Sequence, residues 1–577
     1  MKPNTATPTP QKSLRLLPGV VIVVLQWIIR FLTPMVIPVD EAVMFGVFGG
    51  ILGGLAIAVW WLFFSRAPLF ERWCAIALVI LSLVSASHYI HISIATANMG
   101  LMFTIYSIPV MSLAFVIWAV ASSRLSGGLR RITMVVTIVL ASGFWTLLRT
   151  NGMTSDLHND FSWRWSKSSE DLFMAQTSNK TTTPDKGVET GPNWSGFRGP
   201  SRDGIVHGVR IATDWKASPP IELWRRQVGP GCSSFAINGD LLYTQEQRGD
   251  DEAVTCYSLT TGKPVWIHND KARFWDSHAG AGPRATPTLS NGFIYTMGAT
   301  SILNVLDAKS GNVIWSRNAA TDTKVEHTGW GFTGSPLIVD STVIVAVSGK
   351  LAAYSIATGQ PRWFGPDGGK GYSSPQLFTI KGIPQVVLLS DVGATSIAPS
   401  DGKILWQYSW PSQDRVLQPA RTEEGDFLIS NAMPYCIRRI TVENEPDGWK
   451  IKERWTSEGL KPNFNDFVVH KNHAYGFNGR SLACIDIKDG KRNWQDGRYG
   501  GQIILLADQD LILVLSEKGE LALVEATPDK FKELARFPAI KGKTWNHPVL
   551  VNDVLVVRNG QEMVAFRLPL LGNKSLL

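Results

Sequence analysis

The chain opens with five apolar runs and then changes period. Residues 17–38, 42–64, 73–95, 101–122 and 131–149 carry few charges, and each is close to the ~20 residues a bilayer core requires of a helix. Small residues recur in them, with Gly49, Gly50, Gly53 and Gly54 in the second run, as in helices that pack closely within lipid. The pattern predicts a short tail over residues 1–16 and five transmembrane helices over 17–149. Residues 150–192 read as a linker in which Trp163 and Trp165 are placed to dock near the membrane, and 177–192 is polar and Ser/Thr/Lys-rich. From residue 193 onward the apolar positions alternate in short runs, the period of half-buried strands.

Those strands recur at a spacing of roughly 40–50 residues, which marks a ring or array of repeats. The copies are CYSLTTGKPVW (256–266), VLDAKSGNVIW (305–315), AYSIATGQPRW (353–363), SIAPSDGKILW (396–406) and CIDIKDGKRNW (484–494). In each, a polar residue and a glycine form a hairpin turn between two strands. The Trp that follows is large enough to pack between neighbouring sheets. Two copies are worn: 437–455 keeps Trp455 but lengthens the turn around Pro446-Asp447-Gly448, and 523–537 has Phe537 in place of Trp.

A second series counts the same units by their first strands. It comprises CSSF (232–235), RATP (284–287), TGSP (333–336), YSSP (372–375), LQPA (417–420), NDFV (465–468), GGQI (500–503) and WNHP (545–548). Both series give eight blades. The last strand, MVAFRLP (563–569), has nothing after it, and IELWRR (221–226) has no strand before it. Pairing the two closes the ring, since propellers avoid free sheet edges. Residues 193–570 are then one all-β, eight-bladed propeller domain, and 571–577 a tail.

Charge adds orientation and removes one class of partner. Residues 1–150 hold ten Lys or Arg and three Asp or Glu, whereas the remainder is nearly neutral with 46 basic and 45 acidic side chains. A near-neutral soluble domain has no electrostatic footprint for nucleic acid. The basic residues of the helical part alternate: Lys2, Lys12 and Arg15, then Arg66 and Arg72, then Arg124, Arg130 and Arg131 lie on one side. The positive-inside rule puts these in the cytoplasm and the propeller in the periplasm of a bacterial inner-membrane, multi-pass protein. The five cysteines include no CxxC pair, and Cys256 and Cys484 occupy the same repeat position, as buried small apolar residues do.

The repeat A-x-D-x-x-T-G-x-x-x-W resembles the pyrroloquinoline-quinone (PQQ) repeat of quinoprotein dehydrogenases and of the Bam-complex assembly lipoprotein. The blocks NWSGFRGP, TQEQRG, AGPRATPT, RYGGQ and KTWNHP resemble those of PQQ-like propeller proteins of unassigned role. Helices followed by such a propeller are also the layout of membrane-bound PQQ glucose dehydrogenases. That resemblance implies PQQ with calcium as cofactor and membrane quinone as electron acceptor. It is limited, because the propeller here spans about 380 residues without the long insertions that build the cofactor site. The family's calcium ligands and catalytic aspartate have no matching motif on which to be placed.

Read from the residues, the entries of the inner strands face a central channel and hold chemistry-bearing side chains. Arg284, Arg415 and Arg498 are expected to converge there from three blades, with the aromatic Trp330, Tyr372, Tyr499 and Trp545 and the polar Glu246, Asn465, Asp466 and His547. Arginines with flat aromatic faces suit a planar polycarboxylate. The same residues suit a second role, as hydrogen-bonded links between blades, in which Arg284 binds carbonyls across a seam. In the helices, Arg30 could meet an anionic lipid, and His88 and His91 share a helix face at which a quinone head group could bond. Two functions follow: a membrane-anchored scaffold binding envelope proteins or peptides, or a PQQ-dependent dehydrogenase that oxidises a periplasmic alcohol or sugar and reduces membrane quinone.

Overall fold

The structure, a computed structural model, describes residues 14–33, 39–154, 159–176, 193–326, 329–432 and 435–571. The chain divides into two compact units, Met1–Ser166 and Lys167–Leu577.

The first unit is helical. Four of its helical stretches, Met44–Phe64, Leu69–Ser87, Met102–Arg124 and Gly127–Leu147, are long and apolar enough to cross a membrane, and Leu17–Phe31 is a shorter apolar helix. Glycines set the closeness of packing. A Cβ at Gly53 would stand 2.6 Å from Gln26, whose amide nitrogen donates to Gly50 O at 2.7 Å. Trp61 is wholly buried, with Phe115 edge-on at 4.8 Å and Trp118 at 5.7 Å. Glu71, also buried, is held by Arg130 and by Arg131 Nε at 3.0 Å.

Two sequence expectations need correction in this unit. The third apolar run does not continue to residue 95: its helix stops at Ser87, and a separate turn of helix, Ile92–Ala95, follows. The break is made by His91, whose backbone is extended and whose Nδ1 accepts the Ser93 N–H, capping the short helix. The start of the expected linker is also ordered, as a hairpin of Leu148–Met153 with Asn159–Trp163. Trp163 and Trp165 stack at 5.2 Å beside it.

The second unit begins with the helix Ser169–Gln176. Its Phe173 is buried beneath the Arg248 guanidinium, and Glu170 pairs with Arg273. The rest is an eight-bladed β-propeller. Its sheets have first strands Ala236–Asn238, Thr288–Ser290, Leu337–Val339, Gln376–Ile380, Ala420–Arg421, Val468–His470, Gln502–Leu506 and Val549–Val551. The ring closes as the repeats require, with Glu562–Arg567 antiparallel to Ile221–Gln227 from Glu562↔Gln227 to Arg567↔Ile221.

The repeat motif is explained by contacts between blades. Each turn glycine receives the Trp of the preceding blade: Gly262 meets Trp224, Gly311 Trp266, Gly359 Trp315, Gly402 Trp363 and Gly490 Trp455. The indole N–H groups then donate across the seam, as Trp224 to Leu259 O (2.7 Å), Trp315 to Ile356 O (2.7 Å) and Trp455 to Ile487 O (2.8 Å). Trp406 shows the rule by its exception. The fifth blade, which follows it, has the long hairpin Tyr435–Glu445/Gly448–Ser457 instead of the short turn, and Trp406 donates to Gln385 Oε1 of its own blade.

Candidate binding site in the propeller channel

Eight equivalent positions, one or two residues before the end of the inner-strand entries, form a polar belt around the channel. Ser234 N donates to Thr286 Oγ1 (3.0 Å), Thr286 N to Ser335 Oγ (3.0 Å), Ser335 N to Ser374 Oγ (3.0 Å) and Ser374 N to Gln418 Oε1 (2.9 Å). Gln418 N then donates to the Asp466 carboxylate and Asp466 N to Gln502 Oε1 (3.4 Å). At the eighth position Asn546 Nδ2 donates to Gly231 O (3.1 Å) and Ser233 O (2.8 Å), and Ser234 Oγ donates to His547 O at 2.7 Å. All eight side chains are buried. The belt is thus bonded blade to blade, as buried polar groups generally are, while His547 Nδ1 beside it is buried without a partner.

The segment 193–206 closes one mouth. It pairs Asn193–Trp194 with the first blade, accepts Leu289 N–H of the second at Ser195 O (2.7 Å), and lays Ile205–Val206 parallel to the seventh. Arg202 donates to Pro336 O (2.8 Å) and Ser335 O (3.1 Å) of the third, while Gln376 of the fourth donates to Arg202 O (3.3 Å). Arg198 reaches the sixth blade at Phe467 O (2.7 Å) and Asp466 Oδ1 (3.4 Å). This is the block NWSGFRGP with the SRDGIV that follows it, whose Arg198 and Arg202 were given no role from the sequence. Their signal was the pair of arginines among glycines just before the first blade.

Asp466 and His547 are the two predicted site residues that the belt brings together, with His547 Nε2 3.1 Å from Asp466 Oδ2. Burial acts to raise the Asp466 carboxyl, but Arg198 and His547 overcome it and hold it below the usual carboxylate range. Burial lowers His547 more strongly than Asp466 raises it. The arrangement is therefore one carboxylate between a guanidinium and a neutral imidazole that donates from Nε2. Phe197 stands edge-on to that imidazole at 5.0 Å. Arg202, buried near Arg198, is pushed down to about 10.

Around the other mouth, at the starts of the inner strands, the side chains are aromatic. Trp330 and Tyr372 lie 4.7 Å apart, and His278 is edge-on to Trp330 at 6.0 Å. Lys543 donates to His278 O (2.6 Å) and its ammonium sits 4.1 Å over the Trp545 ring. Trp545 stacks near Phe464 at 4.7 Å and donates to Glu517 Oε1 at 2.7 Å. Burial holds Lys543 below its usual value. Lys543 and Glu517 were not singled out in the sequence; both lie in turns whose loop position carries no periodic signal.

The three arginines expected to converge do not. Arg284 binds Asp276 and the Gly280 carbonyl (2.7 Å) of the hairpin preceding it, with its guanidinium 5.0 Å over Phe274. Arg415 is fully buried and donates to Ser390 O (2.9 Å) and Trp410 O; burial pushes it down to about 10. Arg498 is exposed at the end of the outer strand Arg492–Arg498 rather than at an inner-strand entry. Its place after the repeat Trp leads the chain outward before the next blade begins.

Three other candidates also serve the seams. Glu246 lies mid-strand in the first blade and accepts from Gly229 N (2.9 Å), Arg248, Thr255 and Tyr257. Although its burial opposes ionisation, Arg248 and Arg558 hold its carboxyl low. Tyr499 is buried with its hydroxyl on Glu533 and Arg536 over its ring, and Asn465 donates to Gly501 O at 2.6 Å. Arg558, missed in the sequence, is wholly buried and joins the last blade to the first through Gly229 O (2.9 Å) and Gln245 O (3.0 Å).

In the helical unit, Arg30 lies over the Tyr106 ring at 4.7 Å. His88 and His91 do not share a helix face, because one ends the helix Leu69–Ser87 and the other starts the next.

A planar polycarboxylate needs guanidinium donors to spare around one cavity. Here the terminal nitrogens of Arg284 and Arg415 are on protein oxygens, with only their Nε buried without a partner, and Arg498 lies outside. Among the described residues no group of three His, Cys, Asp or Glu is placed to hold a metal ion. The predicted set, taken together, does not fit PQQ with calcium.

Repeat, ring and closure define an eight-bladed propeller of the PQQ-like repeat type, in a chain with N-terminal apolar helices. The model of the family described as "Outer membrane protein assembly factor BamB" matches residues 221–370 and 272–430. The chain is similar to the outer membrane protein assembly factor BamB of Yersinia pestis, 21% identical over 361 residues, covering 59% of this chain and 77% of that protein. It is also similar to the quinohemoprotein alcohol dehydrogenase of Comamonas testosteroni, 27% identical over 183 residues, 28% of this chain and 24% of the enzyme. A crystal structure of BamB from Moraxella catarrhalis aligns with a TM-score of 0.45 at 12% identity, over 62% of this chain and 99% of that one.

Proposed function

We propose that the protein is a propeller anchored in the bacterial inner membrane that binds protein or peptide partners in the periplasm. The observation that carries this reading is the commitment of the channel: its belt is satisfied between blades, and residues 193–206 fill one mouth. What is left for partners is the outside of the ring and the aromatic mouth around Trp330, Tyr372 and Trp545. The assembly-factor name of the Yersinia relative accords with a binding role. The basic loops around Arg66, Arg72, Arg124, Arg130 and Arg131 support the periplasmic side for the propeller, by the positive-inside rule.

Two measurements test it. Reporter fusions after Leu577 and within 123–130 report orientation; a periplasm-specific reporter is expected active in the first and silent in the second, and the reverse overturns it. Titration of the purified protein with PQQ and calcium is expected to give no saturable quinone absorbance. A saturable signal restores the dehydrogenase reading, with membrane quinone as acceptor.

A further inference from the structure

Between the helices Leu69–Ser87 and Gly127–Gly143 lies an open groove of about 910 Å³, near the upper end of the ~300–1,000 Å³ of ordinary ligand sites. Its walls are apolar, with Leu78, Leu81, Val139 and Leu147, and its floor is kept low by the small Ser142 and Gly143. The Ser142 hydroxyl is turned back onto Ile138 O at 2.8 Å, so the floor presents little unsatisfied polarity. Leu81 and Val139 are exposed, so the groove faces whatever surrounds the helices.

One end of the groove has different chemistry. His88, Tyr89, Arg164 and Trp165 border it. Arg164 donates to Tyr89 O (3.2 Å), just beyond the first helix, and to Thr146 O (3.4 Å), in the turn Phe144–Leu147 that follows the second. Among the described residues no carboxylate pairs with it. Trp and Tyr beside a guanidinium that meets no carboxylate among the described residues are what the headgroup level of a bilayer holds, and a basic side chain there attracts lipid phosphate.

We propose that this groove binds one phospholipid with an anionic headgroup, an acyl chain lying along Leu78, Leu81 and Val139 and the phosphate at Arg164. The inference rests on the reading of these helices as membrane-spanning. Charge complementarity selects the occupant: a neutral quinone head would leave the Arg164 charge unanswered, and a zwitterionic lipid would answer it in part.

The test is native mass spectrometry of the full-length protein in non-ionic detergent, with phosphatidylglycerol or phosphatidylcholine of matched chains. One phosphatidylglycerol is expected to be retained in preference. Arg164→Gln should lower its occupancy about fivefold, the order expected of one basic side chain near a membrane surface, while Arg164→Lys should keep most of it. Gly143→Leu should remove both lipids, because space beyond that Cα is open and the leucine would fill the groove without displacing the fold. Equal binding of the two lipids, indifference to Arg164→Gln, or displacement by an isoprenoid quinone would overturn the proposal. Alkaline extraction of membranes separates the two levels: protein that resists extraction but shows no lipid preference sinks only this site, whereas protein released by carbonate sinks the membrane reading as well.

Discussion

Gly311 of the second blade lies against the indole of Trp266 of the first, so that a Cβ on it would stand 2.6 Å from the ring. The same glycine turns the hairpin at φ +74°. Two demands therefore meet at one position, and they can be separated. Gly292 turns its hairpin at φ +79° with nothing within 4 Å of a Cβ. Gly292→Ala should cost about 1–2 kcal/mol for the left-handed backbone. Gly311→Ala should cost that and about 1–3 kcal/mol more for overpacking the indole. Equal losses of Tm in the two variants would show that the Trp contact contributes nothing.

The closure of the ring concentrates in Arg558. Its guanidinium leaves the last blade to satisfy Gly229 O and Gln245 O of the first, with no exposure to solvent. Arg558→Met keeps much of the volume but orphans buried carbonyls, each worth about 1–3 kcal/mol. A drop in chemical-denaturation midpoint is expected, with hydrogen exchange rising first in 221–227 and 562–567, the paired closing strands. Uniform exchange across all blades would mean that Arg558 is not a closure element.

The ring was legible in the sequence because propeller repeats encode their own contacts: TG and Trp are the two halves of one interblade joint, so five copies identified both strands and neighbours. The termini announced their pairing by each lacking a partner. The channel was harder. Asp466 and His547 were found because polar residues at inner-strand entries stand out, but the period could not say which way a side chain turns. Arg284 and Arg415 fold back on nearby backbone carbonyls, and Arg498 ends an outer strand, outcomes that alternation alone does not encode. The plug, the segment 193–206 that closes one mouth, was missed because Arg198 and Arg202 belong to no repeat. In the helices, hydropathy ran through the break at Ser87 because His88–Ile90 does not interrupt an apolar run by composition alone.

Asp466 holds the plug to the belt. It is the carboxylate facing Arg198, and His547 shares it. Asp466→Asn leaves a buried guanidinium without its counter-charge, which should cost about 3–5 kcal/mol. Arg198→Met in the same background removes the stranded charge and should recover part of that loss. Protease sensitivity near residues 196–204 offers the readout: it should rise in Asp466→Asn and fall back in the double variant. Sensitivity unchanged in the single variant would show that the plug is held without this pair.

Glu252 gives the propeller a pH dependence of definite sign. It lies on the strand Asp251–Ser258 and reaches into the second blade, accepting Ala299 N–H (3.0 Å) and the Thr300 hydroxyl (3.0 Å). Burial, with Asp270 nearby, pushes its carboxyl up to about 7 against the pull of those hydrogen bonds. A folded-state value above the unfolded one means that the native protein binds the proton more tightly. The stabilisation is complete below about pH 4.5 and is lost as pH rises through 7, a change on the order of 3 kcal/mol at about 1.4 kcal/mol per unit. Glu252→Gln keeps one acceptor and cannot ionise, so its stability relative to the wild type should rise from pH 5 to about pH 7 and level off by pH 8.5. Other groups titrate alike in both proteins and cancel in the difference. Parallel stability curves for the two proteins across that range would show that Glu252 is ionised throughout, and that the seam between the first two blades accommodates its charge.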